Sequence, residues 1–159
     1  MRFSFWLRSL AALAVLALCA PASAQQAEHL RIAAIHAQLY HERTATFSAD
    51  ILAPGSNVAL WNTIIGEDAS NFTLVTVEVR GHDLPVGAIS LDVSATDGRG
   101  RTLAHRRIPV SIYDENRSFF APLFLYGTGC DPVTISARLS GPGAPRNAVT
   151  RAIPFRCGE

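Results

Sequence analysis

The stretch Ile89-Ser90-Leu91-Asp92-Val93-Ser94-Ala95-Thr96-Asp97-Gly98-Arg99-Gly100 decides the fold class. Ile89, Leu91, Val93 and Ala95 alternate with Ser90, Asp92, Ser94 and Thr96. A period of two means a strand with one face buried and one wet. Asp97-Gly98-Arg99-Gly100 follows as a hairpin signal, because Asp-Gly tolerates the positive φ angles that a tight turn requires. The segment from Thr102 to Val110 is then the returning strand, and Pro109 marks it as an edge strand or the place of a bulge.

The same alternation spreads outward in both directions. Val75, Val77 and Val79 alternate with Thr76, Glu78 and Arg80, and Ile35, Ala37 and Leu39 with His36, Gln38 and Tyr40. Phe47, Ala49 and Ile51 continue the pattern with Ser48 and Asp50 between them. Further on, Phe119 to Tyr126 is interrupted by Pro122, Val133 to Leu139 alternates cleanly, and Ile153, Phe155 and Cys157 share one parity. Turn residues separate these runs at Ala53–Asn57, Gly81–Pro85, Asp114–Arg117, Gly127–Pro132 and Gly141–Pro145. Helix is an alternative only for Leu30 to Leu39, where alanines favour it but no cap precedes.

About eight or nine short strands with hairpin-like connections predict an all-β antiparallel β-sandwich, immunoglobulin-like in the broad sense. A small closed β-barrel is the alternative. The chain resembles immunoglobulin and fibronectin type III domains in strand count and spacing. In true immunoglobulin domains the tryptophan lies between the paired cysteines, whereas Trp61 here precedes both Cys130 and Cys157. The topology or the position of the bridge must therefore differ.

Trp61 itself sits in the run Val58 to Ile65, apolar on both parities apart from Asn62 and Thr63. That composition predicts a strand covered on both faces. Gly66 to Asn71 then forms an exposed loop that carries Glu67 and Asp68.

Residues 1–24 read as a secretory leader. Arg2 and Arg8 give a positive start, Leu10 to Ala20 an apolar centre, and Ala22-Ser23-Ala24 a small-x-small cleavage site. The apolar run falls short of the roughly 20 residues that span a bilayer. Lipid attachment at Cys19 is the competing reading, and Leu18 before it is larger than such sites normally carry. Cleavage after Ala24 leaves 25–159 as a single β-sandwich domain, periplasmic or secreted, with no transmembrane segment.

Removing Arg2 and Arg8 from the 14 basic residues leaves 12 against 13 acids, a net charge of −1. That balance argues against nucleic acid as a partner, which demands a clustered positive field. The chain has no lysine, so no lysine serves as Schiff-base former or general base. After cleavage the remaining cysteines are Cys130 and Cys157, and in an oxidising compartment they pair most simply with each other. A link closing a loop of about 28 residues stabilises by about 3.5 kcal/mol on the chain-entropy account.

Candidate chemistry is sparse. Glu67 and Asp68, with Asp83, Asp97 and Asp114-Glu115 in other turns, suggest calcium, but the alternating Asp spacing that would define a site is missing. His36 and Tyr40 share a strand face with Gln38 and Glu42, which reads as a polar outer face; one imidazole does not begin a transition-metal site. No Gly-x-Ser-x-Gly elbow and no phosphate loop is present. Arg99, Arg101, Arg106 and Arg107 cluster on one hairpin, where charge keeps an edge strand from pairing with a neighbour. The leading expectation is a non-enzymatic accessory or protein-binding module of the cell envelope, partnered by another envelope protein and needing no cofactor. A small-ligand or glycan-binding domain, with Trp61 or the Tyr40 face as aromatic platform, is the alternative. A hydrolase with a spatially assembled Ser, His and acid comes third.

Overall fold

The computed structural model describes residues 30–56, 70, 72–82, 84–113, 117–128, 130–146 and 148–155. The leader, the Trp61 run with Glu67 and Asp68, Asp83, Asp114-Glu115 and Cys157 lie outside the described residues.

Eight strands form in chain order: β1 Arg31–His41, β2 Thr46–Phe47, β3 Phe72–Arg80, β4 Leu84–Thr96, β5 Thr102–Ile112, β6 Ser118–Tyr126, β7 Val133–Ser140 and β8 Ala148–Ile153. They make two four-stranded antiparallel sheets, ordered β2-β1-β3-β6 and β5-β4-β7-β8. No strand pairing joins the two sheets among the described residues, so the molecule is a sandwich and the barrel alternative falls. The helical alternative for Leu30 to Leu39 falls too. Ile35, Ala37 and Leu39 gain more by facing a core at period two than their alanine neighbours gain from helix propensity.

The strand order sharpens the immunoglobulin-like comparison. Lettered A, B, C, C′, E, F and G, the strands β1, β3, β4, β5, β6, β7 and β8 form A-B-E against C′-C-F-G, the pairing of immunoglobulin-like sandwiches. The cysteine framework departs from that plan. An immunoglobulin bridge crosses the sheets from B to F, whereas Cys130 and Cys157 bracket β7 and β8 of one sheet.

The core consists of the residues that alternation selects. Val75, Val77 and Val79 of β3 meet Leu91 and Val93 of β4, with Leu123 and Leu125 of β6 and Ile135 of β7. Ala37, Ala95, Ala121 and Ala137 are fully buried as well. Each fully buried valine, leucine or isoleucine contributes about 1.5–3 kcal/mol relative to exposure.

Three local expectations need correction. The Asp97 hairpin forms, but Gly98 is not its left-handed residue; Gly100 is, at φ +78. The Gly100 N–H donates to the Asp97 carbonyl and the Asp97 N–H to the Arg101 carbonyl. That is a three-residue loop with a bulge, and the β4–β5 register shifts between Ala95 and Thr96 accordingly. The Asp97 carboxylate accepts from the Arg99 and Arg101 N–H groups and from Arg101 Nε at 2.7 Å. Second, Gly81–Pro85 is not all turn: β4 begins at Leu84, and Pro85 is absorbed in an irregular stretch before Ile89. Of the edge or bulge that Pro109 suggested, β5 has the edge position among the described residues, with β4 as its partner.

Third, the expected strand from Phe47 to Ile51 stops at Phe47. Beyond it, side chains replace the ladder along the margin of β1. Leu39 N–H donates to Ser48 Oγ at 3.0 Å and Ala37 N–H to Asp50 Oδ1 at 2.9 Å. The Ser48 and Ile51 N–H groups return to the Leu39 and Ala37 carbonyls. A margin satisfied in this way cannot template a foreign strand.

Candidate functional site: an aromatic sheet face

The two outer faces of the sandwich differ in kind. On the β5-β4-β7-β8 sheet the outward positions are Ser90, Asp92 and Ser94 of β4 beside Thr134, Ser136 and Arg138 of β7. Asp92 sits at the centre, accepting from Ser140 Oγ at 3.0 Å with Arg107 Nε at 3.9 Å. This face is an ordinary solvated one.

The outer face of the β2-β1-β3-β6 sheet is aromatic. The registers Phe47↔Tyr40, Tyr40↔Phe72 and Phe72↔Tyr126 place one ring from each strand in a row across the sheet. The next row is Gln38, Leu74 and Phe124, then His36, Thr76 and Pro122, then Ala34, Glu78 and Phe120. Phe72 is the hub: its ring centroid lies 5.0 Å from Tyr126, 5.3 Å from Phe124, 5.7 Å from Tyr40 and 6.3 Å from Phe47. Tyr40 and Phe47 close the cluster at 5.2 Å. Phe47 is brought back over Tyr40 by a short turn in which Ala45 takes a left-handed φ of +55.

Such pairs are worth about 0.5–1.5 kcal/mol each beyond area burial. They do not bury the rings, however. Tyr126 is 71% exposed, Phe120 56%, Phe47 44% and Phe124 42%. A contiguous apolar patch rimmed by polar groups is what a contact surface looks like, whereas isolated exposed rings are unremarkable.

A polar network borders the patch. His36 Nδ1 lies 2.8 Å from Asp50 Oδ2, and its Nε2 faces Glu78 Oε2 at 3.8 Å. Glu78 Oε1 accepts from Arg80 Nε at 2.6 Å and from Ser118 Oγ at 3.2 Å. Burial opposes ionisation of Asp50, but hydrogen bonds from the Ala37 N–H, the His36 ring and the Leu52 N–H outweigh it and hold the carboxyl below its ordinary range. Burial likewise opposes ionisation of Glu78, and the bonds from Arg80 and Ser118 again win.

Both carboxylates therefore contribute stability that is fully present above the ordinary carboxylate value near pH ~4 and is lost as pH falls through their lowered folded values. Thermal midpoints should thus drop steeply below about pH 4. Asp50→Ala should cost about 1–3 kcal/mol at neutral pH, since it strands the Ala37 N–H, and should flatten that acid limb. An unchanged midpoint and an unchanged limb in the variant would refute this role for Asp50.

Of the residues singled out from sequence, His36 and Tyr40 do share this face, with Gln38 between them. The reading of that face as polar is corrected: the rings of Phe47, Phe72, Phe124 and Tyr126 come from other strands and join Tyr40 only through the register. Glu42 lies beyond β1, in the turn. Glu67 and Asp68 lie outside the described residues, and Asp97 is committed to its own hairpin. Among the described residues no three His, Cys, Asp or Glu side chains gather as a metal site. His36 has a carboxylate facing each ring nitrogen, so it lacks the nucleophile that a hydrolytic triad would place there.

No family model and no curated protein matches the chain. Among solved structures it resembles part of a Bacteroides fragilis protein assigned as a β-galactosidase, with 12% identity and a TM-score of 0.42 over 53% of this chain and 14% of that one. It also resembles part of a β-glucuronidase from glycoside hydrolase family 2, with 10% identity and a TM-score of 0.44 over 79% of this chain and 12% of the enzyme. The chain spans a small fraction of both proteins, and the likeness is one of sandwich architecture alone.

Proposed function

We propose that the chain is an exported, non-enzymatic binding module of the cell envelope, acting as an accessory through the outer face of the β2-β1-β3-β6 sheet. The observation that carries this is the row of rings from four strands centred on Phe72, half-exposed in a protein whose opposite face is hydroxyl-rich and charged. Keeping such a cluster in water forgoes roughly 25 cal/mol for every Å² of apolar surface left unburied.

Co-sedimentation of the purified protein with isolated envelope material tests the reading. The parent should sediment with that material, and a Phe124→Ala/Tyr126→Ala double variant should be retained roughly tenfold less while still unfolding cooperatively, its melting temperature lowered only by the loss of two ring contacts. Equal retention of parent and variant would overturn it.

A further inference from the structure

We propose that the aromatic end of this face is a site for a neutral glycan chain laid across the strands, an inference that rests on the face being the module's contact surface. Size is the first consideration. Four strands at about 4.8 Å and three residues at about 3.3 Å give an end roughly 19 Å by 10 Å, on the order of 200 Å². A standard protein interface needs about 800 Å² from each partner, and a stable homodimer more. The patch is too small for either, and its long axis suits a linear ligand a few rings in length.

Charge is the second. The two rows that form this end, from Tyr40 to Tyr126 and from Gln38 to Phe124, contain no carboxylate and no guanidinium. Farther down the face, Asp50 and Glu78 are engaged by His36 and Arg80, and the turn beside Tyr40 carries one acid and one base, Glu42 and Arg43. A charged ligand would meet no counter-charge within these two rows and would be desolvated there without return.

The third is the mixture of chemistries. Phenylalanine rings and Leu74 are interleaved with the phenol groups of Tyr40 and Tyr126 and the carboxamide of Gln38. A hydrocarbon surface would bury those polar groups unmatched. A pyranose matches both: its axial C–H groups lie against the electron-rich ring faces, while its hydroxyls project sideways to phenol and amide. One ring per strand along the row gives successive sugars successive platforms.

Isothermal titration of the full exported protein with hexasaccharides of β-1,4-linked glucose and of β-1,4-linked N-acetylglucosamine tests the site, with a sulfated hexasaccharide as charged comparison. At least one neutral chain should bind saturably and better than the sulfated one. Tyr126→Ala and Phe124→Ala should each weaken it by about tenfold, and Arg138→Ala on the opposite sheet should leave it unchanged. Absence of binding to both neutral chains, or binding indifferent to the two ring variants, overturns the proposal. If glycans fail while the ring variants still lower retention on envelope material, the glycan assignment falls and the contact face stands. If retention is also unaffected, both fall together.

Discussion

Gly141→Ala should destabilise the sandwich by about 3–5 kcal/mol, the sum of backbone strain and overpacking. Gly141 follows β7 where that strand runs beside the start of the regular part of β4, with Ser140 opposite Ser90. Its φ is +131, which side chains rarely adopt, and a Cβ there would stand 2.6 Å from the Ala88 carbonyl oxygen and 3.0 Å from Ile89 Cδ1. The obstacle on one side is backbone, the Ala88 carbonyl next to the Ile89↔Val110 rung, so it cannot rotate away as a flexible side chain would. Gly143→Ala is the matched comparison. Its φ is +73 with nothing within 4 Å, so it carries only the left-handed penalty of about 1–2 kcal/mol. Equilibrium denaturation of both variants separates the two costs. Equal losses would show that the approach to Ala88 contributes nothing.

Much of the fold was legible because one physical rule governs it. A strand buried on one side must alternate, and Val75 to Val79, Ile89 to Ala95 and Val133 to Leu139 obey with little interference from turns or charges. Their inward residues are the observed core. What alternation cannot carry is what an edge does. Phe47, Ala49 and Ile51 alternate as well as any strand, yet Ser48 and Asp50 are short polar side chains able to take backbone partners themselves. The segment satisfies β1 through those side chains and leaves the ladder. The hairpin shows the same limit at smaller scale. Asp97-Gly98 announces a turn, while the choice between a two-residue and a three-residue loop is made by Gly100 and by Arg101 reaching back to Asp97.

The candidate site was legible only in part, and for a geometric reason. Tyr40 was visible as an outward aromatic, and Phe120, Phe124 and Tyr126 share the parity opposite to Ala121, Leu123 and Leu125. That second alternation, apolar on both sides, was a signal that β6 presents rings to solvent. Which strand lies beside which is not written in any one segment. The row of Phe47, Tyr40, Phe72 and Tyr126 exists because β3 separates β1 from β6, a long-range pairing. The Trp61 run lies outside the described residues, and the aromatic face is complete without it.

Reduction of the Cys130–Cys157 link should produce the other large effect, and we propose that this link fastens β8. The strand is six residues long and, among the described residues, pairs with β7 alone at the margin of its sheet. Its last rung is Val133↔Ile153, and Phe155 beyond it is buried at 2% exposure. Cys130 precedes that rung by three residues and Cys157 follows it by four in the sequence. Antiparallel pairing puts the sequence before Val133 and the sequence after Ile153 at the same end of the ladder, and three and four residues of chain, at up to about 3.6 Å each, are long enough for a bond across that end. A bond there closes the open end of the β7–β8 pair, where fraying would uncover Val133, Ile153 and Phe155. Cys130→Ser or reduction should therefore lower stability by about 2–4 kcal/mol, or roughly 5–15 °C in melting temperature for a chain of this size. The loss of amide-exchange protection should begin at β8 and reach β3 last, since β3 is flanked on both sides. Intact mass before and after reduction and alkylation decides the covalent claim. Two thiols that alkylate without reduction would end it. A bridged protein whose melting temperature ignores reduction would show instead that the core alone holds β8 in place.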